Sequence, residues 1–342
     1  MPVQLLAIAR NTFSESIRQP IVLVLLVIAT LLIVLSIPFS AFTMQDDQRM
    51  FLDIGLSTVF IMGTLLAAFL ATNVVNREIE NGTALTVISK PVGRVPFLLG
   101  KYLGVACAIL LTMAYMSLVF VLVERHGTMQ TVRTPYHLPV IAFGLGTLLI
   151  AVAGGAWCNY FYGMVFGSTV LLSAVPLLLA GYTLSLFFRP DFSSDVVAVA
   201  FRGDIWTAIA AMTMAILILT AIAVAASTRL GQVMTVAVTL GMFMLGMLSD
   251  WMFGRPAQRL QLEFDRLGGD VSFFSGDSLL YHGSSLLHAI VPNFQYFWLA
   301  DALTQARPIP PAYMLTLGSY AALQIVVALG IGVILFQRRE VG

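Results

Sequence analysis

The sequence predicts an all-α integral membrane protein, a polytopic bundle of about eight transmembrane helices, and three observations carry that prediction. Of 342 residues, 59% are hydrophobic and only 10% charged, against roughly 25% charged in a soluble domain, and the mean hydropathy is +0.92. Eight apolar runs are each long enough to cross about 30 Å of hydrocarbon, which takes roughly 20 helical residues. They are residues 20–39, 54–75, 102–123, 138–157, 164–188, 205–226, 233–253 and 313–336. Finally, the charged residues collect between these runs, and the net positive charge falls on one side.

In chain order, residues 1–19 are amphipathic. Leu5, Ala9, Phe13 and Ile17 recur every four residues among Arg10, Asn11, Ser14, Glu15 and Arg18, the pattern of an interfacial helix. No basic start, apolar core and small-residue cleavage site precede it, so the N-terminus is expected to be retained. The transmembrane bundle occupies residues 20–253 and includes a cytosolic loop at 76–101. The segment 157–163, WCNYFYG, is uncharged, so 138–188 reads either as two spans or as a re-entrant pair that leaves six crossings. Residues 254–312 form an extracytoplasmic cap with interfacial helices, whose Phe294, Tyr296, Phe297 and Trp298 suit a water–lipid boundary. Residues 313–342 supply the last span and a cytosolic tail.

Orientation follows from basic residues in short loops. With both termini inside, the inner face has Arg10, Arg18, Arg77, Lys90, Arg94, Lys101, Arg229, Arg338 and Arg339 against Glu15, Glu78, Glu80 and Glu340. The outer face holds nine arginines against thirteen acids. An N-in, C-in chain in the cell inner (plasma) membrane is therefore expected.

Several chemistries are disfavoured. Of the eight runs only the seventh contains an ionisable acid or base, Asp250, whereas ion-coupled transporters relay charge through intramembrane carboxylates, lysines or histidines. A P-loop needs G-x-x-x-x-G-K-[ST], and the string ending at Gly100, Lys101 and Tyr102 has Val95 where its first glycine belongs. A net charge of +1 offers nothing to nucleic acid. Cys107 and Cys158 form no CxxC pair. His126, His137, His282 and His288 read as solvated loop residues, and Met242, Met244, Met247 and Met252 as packing rather than a copper site. No catalytic, cofactor-binding or metal-binding residue is assigned. Thr72 and Asn73 are candidates to line a path, together with other polar residues of the spans (Thr64, Ser117, Asn159, Thr183 and Ser185), although such groups commonly bond a neighbouring helix.

The most informative stretch is REIENGTALTVISKPVGRVPFLLGKYLG, residues 77–104. Gly82 can close a helix in the left-handed conformation, and Thr83 can cap a short new one carrying Leu85, Val87 and Ile88. That helix ends before Pro91, and Pro96 sits well at the first position of the next helix. The product is a stiff knuckle with apolar side chains outside the membrane and no core of its own, suited to docking.

This stretch resembles the cytoplasmic loop of ABC-2 type transporter permeases, in which an E-I-E-x-G-T…SKPV-x-R…F-L-L-GK pattern recurs. ARNTFSESIRQP resembles their elbow helix, and AIAVAASTRLGQVMTVAVTLGMFMLGMLSDW, residues 221–251, their second cytoplasmic turn. LHAIVPNFQYFWLADAL, residues 287–303, and FQRREVG are similar to the subgroup associated with copper-enzyme maturation. The resemblance implies a permease subunit without ATP chemistry, an exporter, paired with a second permease copy or homologue and with two copies of an ABC ATPase subunit that use the ATP. It places ATPase docking on Arg77, Glu78, Glu80, Gly82, Thr83, Leu85, Ile88, Lys90 and Arg94. Ser227, Thr228 and Arg229 form the second cytosolic turn. Two other readings stay open: an ATPase-driven mechanical transducer acting on an extracytoplasmic protein through the 254–312 cap, and an ATPase-independent channel or scramblase.

Overall fold

The computed structural model of the chain describes residues 2–40, 42, 46–80, 93–128, 136–266, 275–305 and 307–337, with the backbone alone at 2, 74–80, 198 and 337. Helix is the regular structure throughout the described residues, and no strand occurs among them. The helices are α1 (Pro2–Ile17), α2 (Pro20–Ser40), α3 (Asp47–Glu80), α4 (Arg94–His126), α5 (Leu138–Tyr162), α6 (Phe166–Ser185), α7 (Val197–Ala200), α8 (Gly203–Ser227) and α9 (Gln232–Ser249). A π turn at Asp250–Gly254 leads into α10 (Arg255–Arg266). There follow α11 (Gly276–Ile290), a 3₁₀ turn at Phe294–Phe297, α12 (Ala300–Thr304) and α13 (Pro311–Gln337).

Eight of these units are long and apolar enough to cross a membrane: α2, α3, α4, α5, α6, α8, the α9–α10 rod and α13. Burial separates them into two classes. In α3, α4 and α8, 72–78% of the apolar window is buried inside the chain; in the other five the share is 22–39%. The first three are the core, and the others surround them with faces left for lipid. Small residues allow the core helices to close up, because lipid tails compete with apolar side chains and tight packing must do the work. A Cβ on Gly63 would strike Ile216 of α8 and lie 2.9 Å from Met113 of α4. Phe51 and Phe120 stack at 5.6 Å beside Gly55.

The α5–α6 pair, expected either to span or to re-enter, has the dimensions and placement of two crossings. At 25 and 20 residues, the helices rise about 37 and 30 Å. At one end Phe143 meets Phe188; at the other, Gly167 lies against Leu23 in the first turn of α2. The hairpin thus reaches the level where α2 begins. Gly163 makes the turn with φ +64, and its N–H returns to Asn159 O.

The end of the bundle away from α1 is tied by two arginines. Arg125 donates to Ser185 O at 3.0 Å and Phe188 O at 3.1 Å, where the carbonyls at the end of α6 attract a cation, and it pairs with Asp195 at 3.4 Å. Arg202 bridges Glu124 at 2.9 Å and Asp204 at 2.7 Å. His137 is not the solvated loop histidine expected. It is 7% exposed, and its Nδ1 accepts the Val140 N–H, capping α5. Burial first, then the charge of Arg125, holds its pKa down to about 4.

Past the π turn, α10 and α11 pair as a hairpin, and the chain then turns back into the bundle. Phe294 and Phe297, expected at the water–lipid boundary, are 0% exposed. Phe294 packs on Gly246 and Phe243 of α9, and Trp298 stacks on Phe60 of α3 at 6.2 Å. Gly246 stands 14 residues beyond Gln232, about 21 Å up α9 and so inside the hydrocarbon. An aromatic-rich run after a proline satisfies a boundary and a core equally well by composition. The gap that decides between them is made by Gly246.

Two predictions follow from this packing. A Cβ at Gly246 meets the Phe294 ring and stands 2.7 Å from Pro292 O. Gly246→Leu is therefore expected to expel the 291–298 segment and cost about 1–3 kcal/mol in thermal unfolding. An unchanged midpoint would show that the segment is not a packed element. Because the folded pKa of His137 lies below its unfolded value near 6.5, the unfolded chain takes the proton first and stability is lost as pH falls from about 6.5 toward 4. His137→Asn, which retains a capping oxygen, should flatten that slope in a melting series.

Candidate functional site

At the α1 end, four chain segments converge. The elbow helix α1 crosses α4 where Gly100 and Gly104 leave it flat. A Cβ on Gly104 would lie 2.5 Å from Ala9 O and from the Thr12 side chain, and one on Gly100 would lie 2.8 Å from Ile8. The most buried stripe of α1 is consequently Thr12 and Ser16, both 0% exposed, rather than the apolar Leu5, Ala9 and Phe13. Small side chains permit the close approach, and the larger apolar ones turn aside. The Thr12 and Ser16 hydroxyls have no hydrogen-bond partner among the described residues.

The continuation of that stripe reaches Gln19, 5% exposed, and there a chain of amides begins. Asn73 Nδ2 donates to Gln19 Oε1 at 2.9 Å. Asn73 Oδ1 accepts from Gln232 Nε2 at 2.8 Å. One side chain of α3 therefore joins the α1–α2 junction to the first residue of α9. Arg229 donates through Nε to Leu335 O at 2.8 Å, tying the same turn to the last turns of α13. Phe97 of α4 stacks on Phe336 at 5.8 Å, with Lys101 Nζ 5.7 Å from the Phe97 ring. A polar recess of about 310 Å³ opens beside Asn11, Ser14, Glu15, Arg18 and Gln19.

The residues proposed for docking are placed as follows. Arg77, Glu78 and Glu80 stand in the last turns of α3 with side chains outside the described residues; Gly82, Thr83, Leu85, Ile88 and Lys90 lie wholly outside them. Arg94 is exposed and opens α4. In the second turn only Arg229 is exposed; Ser227 and Thr228 are 0% exposed and donate to Val224 O and Ala225 O. Thr72 is consumed in the same way by Ala68 O at 2.6 Å. Thr64, Ser117, Thr183 and Ser185 also bond carbonyls of their own helices, and Asn159 bonds Met164 O at the α5–α6 turn. Their hydroxyls and amides need no neighbouring helix and no substrate. Asn73 differs, because all its bonds reach other elements.

Gln19 and Gln232 escaped the sequence reading because amides at the ends of apolar runs are ordinary. The spacing of Gly100 and Gly104 was the available signal for the elbow contact, since small residues four apart let helices approach.

Residues 6–175 match the sequence model of the family described as ABC-2 family transporter protein. That stretch, just under half of the chain, is similar to an ABC-2 family transporter domain. It runs from α1 into α6 and so contains the elbow, Asn73, the glycine-faced contact and the 76–101 loop. No curated protein matches the chain. The ABC-2 domain and the eight apolar helices support a multi-pass membrane permease subunit of an ABC transporter. Such subunits work with an ATPase partner.

The bridge is directly testable. Asn73→Leu removes both arms of the bridge, two hydrogen bonds worth about 0.6 kcal/mol each inside a membrane bundle, whereas Gln232→Leu leaves the Asn73–Gln19 arm in place. Thermal unfolding should rank Asn73→Leu as the more destabilised, by roughly 1 kcal/mol from wild type. Equal losses would mean that Asn73 is not the junction.

Proposed function

We propose that the chain is the permease subunit of an ABC-2 exporter in the cell inner membrane, both termini inside, with two permeases and two separate ATPase subunits in the assembly. The subunit has no catalytic residue, cofactor or metal of its own, and ATP is used by the partner. The observation that carries this reading is the Gln19–Asn73–Gln232 amide bridge within and beside the ABC-2 domain. It links the α1–α2 elbow, the helix that leads into the 76–101 loop and the start of α9 at one end of the bundle. An ATPase pressing on Thr83, Leu85 and Ile88 would move these elements together and tilt α3 and α9 against the core. Kinship with permeases of copper-enzyme maturation rests on residues 287–303 and the tail, outside the matched domain, and bears only on what is exported.

A mechanical transducer remains the second reading, and a specific feature favours it over a passive channel. The α9–π–α10 rod, Gln232–Arg266, is 35 residues long, about 52 Å, and runs unbroken from the second turn to the α10–α11 hairpin. Movement imposed at Gln232 would reach an extracytoplasmic protein at that hairpin without any substrate crossing.

The test is co-purification of the full chain with candidate ATPase subunits, wild type beside the double variant Leu85→Asp/Ile88→Asp. Retention by the wild type and at least tenfold less by the variant, about 1.4 kcal/mol, is the expected result. An ATPase retained equally by both, or by neither, would remove the socket from the knuckle and bring the channel or scramblase reading forward.

A further inference from the structure

Among the described residues, a slot of about 440 Å³ opens between α8, α9 and α13, a volume in the range of ligand pockets. It lies outside the ABC-2 domain and takes no part in the amide bridge. Its walls are aliphatic, formed by Ile222, Ala226, Leu230, Met242, Val327 and Ile331. Ile290 and Pro292 of the returning segment also line it. Two polar side chains line it, Gln324 and Arg229.

Three features select the occupant. The first is length: along α13 the lining runs from Gln324 to Leu335, eleven residues or about 16 Å, which is half of the roughly 30 Å hydrocarbon layer. A largely apolar slot about one leaflet deep matches one acyl chain. The second is charge: Arg229 is exposed at the turn end of the slot, and its Nε is held by Leu335 O at 2.8 Å. That bond fixes a cation at the mouth while the two terminal amines of the fork stay outside it, the geometry a phosphate accepts. The third is access: Val327 and Ile331 are 49% and 52% exposed, so the slot is entered from the side, as a lipid would enter.

We propose that this slot holds one acyl chain of an anionic phospholipid from the leaflet on the side of the 227–232 turn, with the lipid phosphate on Arg229. A lipid seated there would fill the wedge between α8, α9 and α13 at the turn that carries Gln232. The inference does not depend on an ATPase, and its test uses the chain without one.

The full chain is purified, exchanged into nanodiscs of phosphatidylglycerol mixed with phosphatidylcholine, and its retained lipids are counted by native mass spectrometry. Wild type should keep one phospholipid, enriched in phosphatidylglycerol by roughly fivefold, the effect of one basic residue at a charged lipid surface. Arg229→Ala should retain lipid without that enrichment, and Arg229→Lys should restore it in part. Val327→Trp, at an exposed position, should fill the slot and lose the retained lipid. Leu315→Trp, 77% exposed on α13 and outside the slot lining, should behave as wild type. Equal retention by Val327→Trp and wild type, equal loss in Leu315→Trp, or an enrichment unchanged in Arg229→Ala would each overturn the proposal.

Discussion

One side-chain amide joins three elements at the α1 end of this bundle. Asn73 reaches two other elements with its two ends, Gln19 at 2.9 Å and Gln232 at 2.8 Å. A helix in a bilayer already satisfies its own backbone, and most hydroxyls here bond back to the preceding turn, so few polar groups are free to choose a neighbour. An amide cannot be satisfied by a carbonyl one turn away with both its donor and its acceptor. Its bonds must go elsewhere, and where they go fixes which helices share a level.

Everything around that junction is arranged for close approach. Gly100 and Gly104 admit α1 onto α4, and the price is a pair of buried hydroxyls, Thr12 and Ser16, without partners among the described residues. At the other end the arrangement is electrostatic. Arg125 gathers the carbonyls ending α6, and Arg202 holds Glu124 and Asp204. Between the two lies a core of α3, α4 and α8 with no ionised side chain in its middle turns. The chain therefore has firm ends and an apolar centre, an organisation suited to tilting helices rather than to relaying ions.

The fold was legible in the sequence because transmembrane length and apolarity are written residue by residue. All eight runs correspond to membrane-length helices. The boundaries were less legible: α4 begins at Arg94, so Lys101, assigned to a loop, is buried at 1% exposure inside a helix. What could not be read were the relations between distant positions. Nothing local marks Phe294 as core until Gly246 is seen opposite it, or His137 as a cap until its ring is placed on Val140 N. The amide bridge joins residues 54 and 159 positions apart. The knuckle at 81–92, the strongest local signal in the chain, lies outside the described residues, and its role rests on sequence and on the matched domain.

If the bridge makes one block of the elbow, α3 and the start of α9, two distances should respond differently to ATP. Spin labels go on Leu6 and Val233, 68% and 80% exposed, in a chain whose Cys107 and Cys158 are replaced by serine, in the proposed assembly with an ATPase and a second permease copy. The account predicts that the Leu6–Val233 distance within one chain stays fixed through the nucleotide cycle, while the distance between the two Val233 labels changes. A Leu6–Val233 distance that moves with ATP would contradict it, because the elbow and the second turn would then be moving separately.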